Sequence, residues 1–273
     1  MSFSPVVPSG GYAGWTFLKR TQDRQQAAFQ ADPVYKRDEA YFRARIGSVT
    51  SAEQLVSDRR LLKVALGAFG LDADINNKFF LRKVLEEGTL STDALSSKLA
   101  DKRYQEFSAA FGFGDFAVPR TTLSDFPDKI LARYSQRQFE IAVGSRSDSM
   151  RFALNAEREI GALAAKETGE DAKWFTVMGN VPLRAVIETA FNLPKSFASV
   201  DIDQQLGVFK ERARQFFGAD TVTQFSDPAK MDALLRRYLT LADQGGVSAS
   251  GATSALTLLQ SARGASGLLS LLR

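Results

Sequence analysis

The chain has 273 residues, 44% of them apolar and 21 of them phenylalanine, which is enough for one large or two small cores in a folded, soluble protein. Histidine and cysteine are both absent. This excludes a disulfide framework, a thiol nucleophile, an imidazole base and a Cys/His zinc site, and leaves only oxygen ligands for a metal. The net charge of +4 is thinly spread, its largest local excess being 9 basic against 6 acidic groups over residues 1–60, so no basic stripe is fitted to phosphates and nucleic acid is not an expected partner.

Residues 1–13 are expected to form a flexible leader, because Met1 to Gly11 has neither the charged nor the apolar region of a secretory signal. The next segment is helical, with Trp15, Leu18 and Phe29 on one seam and Gln22 and Gln25 between them. A stripe apolar at its ends and polar in its middle can lie along the protein as a strap or pair with a helix of another subunit, so these three apolar residues are candidate partner contacts. Asp32-Pro33 opens a helix carrying Tyr35 through Ile46, and Thr50-Ser51-Ala52-Glu53 offers a capping box ahead of a helix from Leu55 to Phe69. Ile75, Phe79, Phe80, Val84 and Leu85 predict the apolar side of the next one.

The helical pattern is interrupted from Gly114 to Pro127, which divides the expected array into lobes over residues 14–118 and 119–243. A long helix after Pro127 carries Ile130, Leu131, Tyr134, Ile141 and Ala142, and Gly144 to Ser149 breaks the pattern again, with Ser147 or Asp148 available as a cap. Asp227-Pro228 opens a helix with Met231, Leu234, Leu235, Tyr238, Leu239 and Ala242 on one face. Residues 244–273 read as a Gly/Ser-rich linker and an apolar tail, whose Leu268, Leu269, Leu271 and Leu272 should dock on this chain or on a partner and complete the candidate contacts. No stretch alternates with period two, so the fold class is all-α, a multihelical array. No apolar run reaches the roughly 18 residues of a membrane span, the best candidate, Leu61 to Leu71, being interrupted by Lys63.

One clause recurs three times: Ala68-Phe69-Gly70-Leu71, Ala110-Phe111-Gly112-Phe113 and Ala190-Phe191-Asn192-Leu193. Gly or Asn just past a helix end adopts the left-handed conformation, and the apolar residue after it folds back, Leu71 onto Leu66, Phe113 onto Phe107 and Leu193 onto Ile187. Leu61, Val64, Ala68, Phe69 and Leu71 also match Leu183, Val186, Ala190, Phe191 and Leu193 at a constant offset, an echo that either records two related lobes or, the favoured reading, comes from common helix-ending chemistry without duplication.

No string of residues meets the geometry of a reactive site. Gly112-Phe113-Gly114-Asp115-Phe116-Ala117 follows a helix where a dinucleotide turn needs a strand, and Asp72-Ala73-Asp74-Ile75-Asn76 lacks the Gly and the closing Glu of a calcium loop. The acid pairs Glu86-Glu87 and Glu157 with Glu159, and the basic clusters Arg59-Arg60 with Lys63 and Arg236-Arg237, sit beside opposite charges and read as solvated helix faces. No catalytic, cofactor or metal residue is assigned.

Tyr12 to Thr21, Asp58 to Leu66, Ala68-Phe69-Gly70-Leu71, and Leu99-Ala100-Asp101-Lys102-Arg103-Tyr104 with Phe111-Gly112-Phe113 together resemble the alphaproteobacterial domain-of-unknown-function family number 1217. The resemblance implies a multihelical protein of uncharacterised activity whose genes often lie among flagellar ones, hence a flagellum-associated accessory or structural role. It implies no catalytic residue. The expected function is therefore non-enzymatic, binding flagellar components, other proteins or a second copy, either in the cytoplasm or exported without a cleavable signal as part of the flagellum. The alternative is an enzyme or small-ligand protein using carboxylates and arginines between the lobes, near residues 114–127.

Overall fold

The structure, a computed structural model, describes residues 3–99 and 101–243. The expected linker and tail, with Leu268, Leu269, Leu271 and Leu272, lie outside the described residues. The helices are α1 (Gly11–Gln30), α2 (Pro33–Arg45), α3 (Ala52–Ser57), α4 (Arg59–Phe69), α5 (Lys78–Glu87), α6 (Leu95–Lys98), α7 (Arg103–Phe111), α8 (Phe126–Gly144), α9 (Asp148–Ala164), α10 (Glu170–Gly179), α11 (Val181–Ala190), α12 (Ile202–Phe217) and α13 (228–243), joined by short 3-10 turns. No strand occurs among the described residues, and the chain is all-α. None of the described helices is long and apolar enough to cross a membrane.

Cap chemistry places the helix starts. Asp32 accepts from the Val34 N–H at 2.7 Å and Asp227 from the Ala229 N–H at 2.8 Å, each ahead of a proline in the first turn, where a missing N–H costs nothing. Ser147 caps α9 through the Met150 N–H. The capping box sits one residue later than expected: Ser51 accepts from the Gln54 N–H, while the Gln54 side chain reaches back to the Thr50 N–H at 2.7 Å. The single helix expected after it is two. Asp58 leaves helical geometry, with φ −89° and ψ 100°, and accepts from the Arg60 and Leu61 N–H groups, so the chain restarts as α4 at a new angle.

The recurrent clause ends three helices as its chemistry demands. Gly70, Gly112 and Asn192 have φ of 69°, 69° and 54°. The Leu71 and Leu193 N–H groups each bond the carbonyl five residues back, on Leu66 and Glu188. The third end differs: the Gly112 carbonyl accepts from Phe116, and the Phe113 ring packs against Phe111 at 5.8 Å.

Buried side chains gather into two cores. One is built around α4, whose Leu61, Leu62, Val64, Ala65, Leu66, Ala68 and Phe69 are all buried, with Phe42, Leu55, Leu85, Phe107 and Phe111 about them. The other centres on Trp174, Phe191 and Phe209 from α10, the end of α11 and α12, covered by α9 and α13. The expected boundary between residues 118 and 119 does not separate them. Phe126, Ile130, Leu131 and Tyr134 of α8 enter the first core, whereas its Phe139 and Val143 enter the second, where Trp15 and Leu18 of α1 also pack. Phe29 touches both. Two predicted core residues are solvent-facing: Phe79 is 73% exposed and Ile141 47%. Helix α5 starts three residues after Ile75; it buries Val84 and Leu85 as expected, with Leu81 in place of Phe79.

Candidate functional site

The N-terminal seam is a strap on its own chain. Trp15 and Leu18 are 3% and 0% exposed in the second core, so neither is available as a partner contact, and Phe29 is half-buried against Phe139 and Tyr35 at 6.2 and 5.1 Å. The polar middle of the seam has its own use. Gln25 is buried, its Oε1 accepting from the Val6 N–H at 2.8 Å and its Nε2 donating to the Val6 carbonyl at 3.0 Å. Residues 3–10, expected to be a loose leader, run along α1 and are further tied by the Phe3 N–H on Asp32 at 2.8 Å and by the Phe3 ring on Phe29 at 5.5 Å. The helix begins at Gly11 within that leader.

The charged groups singled out in the sequence are taken up by the fold. Arg60 lies 3.9 Å over the Tyr41 ring, Lys63 pairs with Asp38 at 2.6 Å, and Arg59 donates to Asn76. Glu87 accepts from the Leu95 N–H at the start of α6. Asp74 accepts from the Tyr104 hydroxyl and from Asn77, so its turn is a joint to α7; burial and that hydrogen bond push the Tyr104 phenol up to about 12. The loop at 114–127 holds its neighbours together: Asp115 accepts from the Thr89 and Leu90 N–H groups, and the Thr121 hydroxyl bonds the Val49 carbonyl.

Two concave surfaces stand out among the described residues. The first is a groove of about 580 Å³ between the end of α12 and α13, floored by Phe216, Phe217, Ala233 and Leu241. Its arginines are already committed: Arg237 lies 3.7 Å over the Phe216 ring and donates to the Ala190 carbonyl, and Arg236 lies 4.5 Å over the Tyr12 ring and bonds the Tyr12 hydroxyl and Asp232. What is left open is mainly hydrocarbon.

The second is a cavity of about 270 Å³ between α1, α8 and α9. Its apolar floor is Phe139 and Leu154, and Gln22, Gln26 and Gln136 line its sides. Arg158 grips Glu140 with two hydrogen bonds at 2.7 and 2.9 Å and also bonds Glu159; Lys19 pairs with Glu157 at 2.8 Å. Burial works against the Arg158 charge, but the hydrogen bonds and charges of Glu140 and Glu159 outweigh it and hold its pKa above that of an ordinary arginine. Among the described residues no three acidic groups converge as a metal site; acids here alternate with bases.

The family described as a protein of unknown function, DUF1217, matches residues 68–231, more than half of the chain. The chain belongs to that family. The DUF1217 span opens on the first Ala-Phe-Gly-Leu clause and takes in the α8 and α9 walls of the polar cavity, while α1 and most of α13 lie outside it. Protein AGR_C_984 from Agrobacterium tumefaciens, known from an X-ray crystal structure, is similar to the chain with a TM-score of 0.71 and 25% identity over 88% of this chain and 97% of that one. No curated protein matches the chain significantly.

The sequence offered little to find either surface. Phe216-Phe217 is an aromatic pair before Gly218, whose φ of 90° ends α12, and a fourth helix-ending clause was legible there. Which side of that pair faces solvent depends on the approach of α13, which begins only at residue 228 and is unmarked in local pattern. Gln22 stood out as polar within an apolar seam, and that anomaly was the one signal for the cavity.

Proposed function

We propose that this chain is a non-enzymatic protein that binds other proteins and serves in flagellar assembly or structure. The observation that carries the reading is the groove between α12 and α13, where an apolar floor is left open among the described residues although the surrounding charges are already satisfied within the chain. Such a surface suits the apolar face of another protein's helix. The uptake of arginines and carboxylates into caps and interhelical pairs supports a scaffold. The flagellar part is supported by the family resemblance alone. The test uses the tagged full chain in its native cell, cross-linked and purified for mass spectrometry, beside an Ala233→Glu variant with an unchanged circular dichroism spectrum. Flagellar proteins should co-purify with the natural chain and be lost with the variant, and swimming should fall with them. Full swimming in the variant together with no enriched protein would overturn the reading.

A second reading, ligand binding through acids and arginines, is favoured by the polar cavity, although it lies between α1, α8 and α9 and not near residues 114–127. Its test is saturable binding of a free amino acid there.

A further inference from the structure

We propose that the cavity between α1, α8 and α9 receives an extended segment of another protein, held through its peptide groups and one apolar side chain. The proposal rests on the reading of the chain as a protein binder, but it concerns a different surface from the α12–α13 groove.

The molecule already uses glutamine to hold backbone. Gln25 clamps both the N–H and the carbonyl of Val6, in the extended stretch alongside α1. Gln205 donates to the Ala198 and Val200 carbonyls, and Gln224 to those of Ala219 and Thr221. A primary amide presents one acceptor and two donors at the spacing of a peptide group, so it pairs with backbone as another strand would.

On α1, Gln22 and Gln26 flank Gln25 in sequence, one turn apart, and line the cavity opposite Gln136 of α8. Gln25, Gln30 and Gln138 on the same two helices have side-chain partners, whereas Gln22, Gln26 and Gln136 have none among the described residues. One flank of α1 thus holds an extended chain, and the neighbouring flank presents the same amides unpaired.

The remaining walls narrow the ligand. Phe139 and Leu154 form an apolar floor. The charges come as two neutral pairs, Lys19 with Glu157 and Arg158 with Glu140, so the cavity has no net charge to attract a free ion and favours a neutral dipolar group. Its volume of about 270 Å³ suits one large aliphatic residue with its two flanking peptide groups.

The probe is N-acetyl-leucine N-methylamide, which carries those groups and no charge, added to the full chain labelled with ¹⁵N in its glutamine side chains. Saturable shifts are expected in the Gln22, Gln26 and Gln136 amide signals, with half-saturation in the millimolar range. Gln136→Ala, at an exposed position, should weaken binding about three- to tenfold without changing the melting temperature. The alanine analogue should bind more weakly because it leaves the floor uncovered. The proposal is overturned if no saturable shift appears, if free leucine binds and the capped form does not, or if binding survives Gln22→Ala with Gln136→Ala. Such a failure leaves partner capture at the other groove untouched, and failure of that capture leaves the capped-leucine result standing.

Discussion

At Gly67 the absence of a side chain sets how closely two helices approach. A β-carbon there would lie 2.7 Å from the Tyr134 ring, so α4 and α8 pack ring against backbone. Alanine ordinarily favours a helix interior over glycine by about 1 kcal/mol, but here it must displace a ring that is 3% exposed and stacked on Tyr35 at 5.8 Å. Gly67→Ala is therefore expected to destabilise the protein by about 1–3 kcal/mol, measured as a lowered urea midpoint with an unchanged slope. A neutral or stabilising result would show that Tyr134 can move aside freely. In the sequence, Gly67 was only a glycine inside an apolar helix, because the ring it accommodates is 67 residues away. Gly70 was readable, because its partner is its own helix.

Helix α8 shows where periodicity stops being a guide to elements. Ile130, Tyr134 and Ile141 form a straight stripe at 3.6 residues per turn, and a helix facing one core would bury all three. This helix leaves the first core partway. Phe139 and Val143 project from nearly the opposite side to Ile130, into the second core, and Ile141 is left in solvent. Starts and stops were legible because caps act within four residues; a change of partner in mid-helix has no local signal. The same helix meets α9 through an alternating charge set: Arg137 and Glu140 on one side, Arg158 and Glu159 on the other. Glu140, with its side chain 7% exposed, depends on Arg158 for compensation. Arg158→Met should cost about 3–5 kcal/mol, and adding Glu140→Gln should recover much of it, since the loss is that of stranding a buried carboxylate. Arg158→Lys should fall between, lacking the two-pronged grip. Equal losses in the single and double variants, by chemical denaturation, would mean that the pair contributes only packing.

Across the whole molecule, two cores behave as one only if something couples them, and three features do. Helix α8 runs through both. The chain's first helix packs with the second core, so the sequence leaves that core, builds the first and returns. A run of rings crosses the seam, from Phe3 and Phe139 through Phe29 to Tyr35 and Tyr134. Both tryptophans, Trp15 and Trp174, are buried in the second core and none in the first, which makes the coupling measurable. Leu62→Ala removes side-chain volume from the centre of the first core, where Leu62 is 0% exposed, and should cost about 2–5 kcal/mol. With strong coupling, tryptophan fluorescence must report that loss from the other core, its midpoint falling together with the far-ultraviolet circular dichroism midpoint in one transition. A dichroism curve that splits in two while the fluorescence midpoint stays in place would show instead that the cores unfold independently, and that α8 breaks between Tyr134 and Phe139.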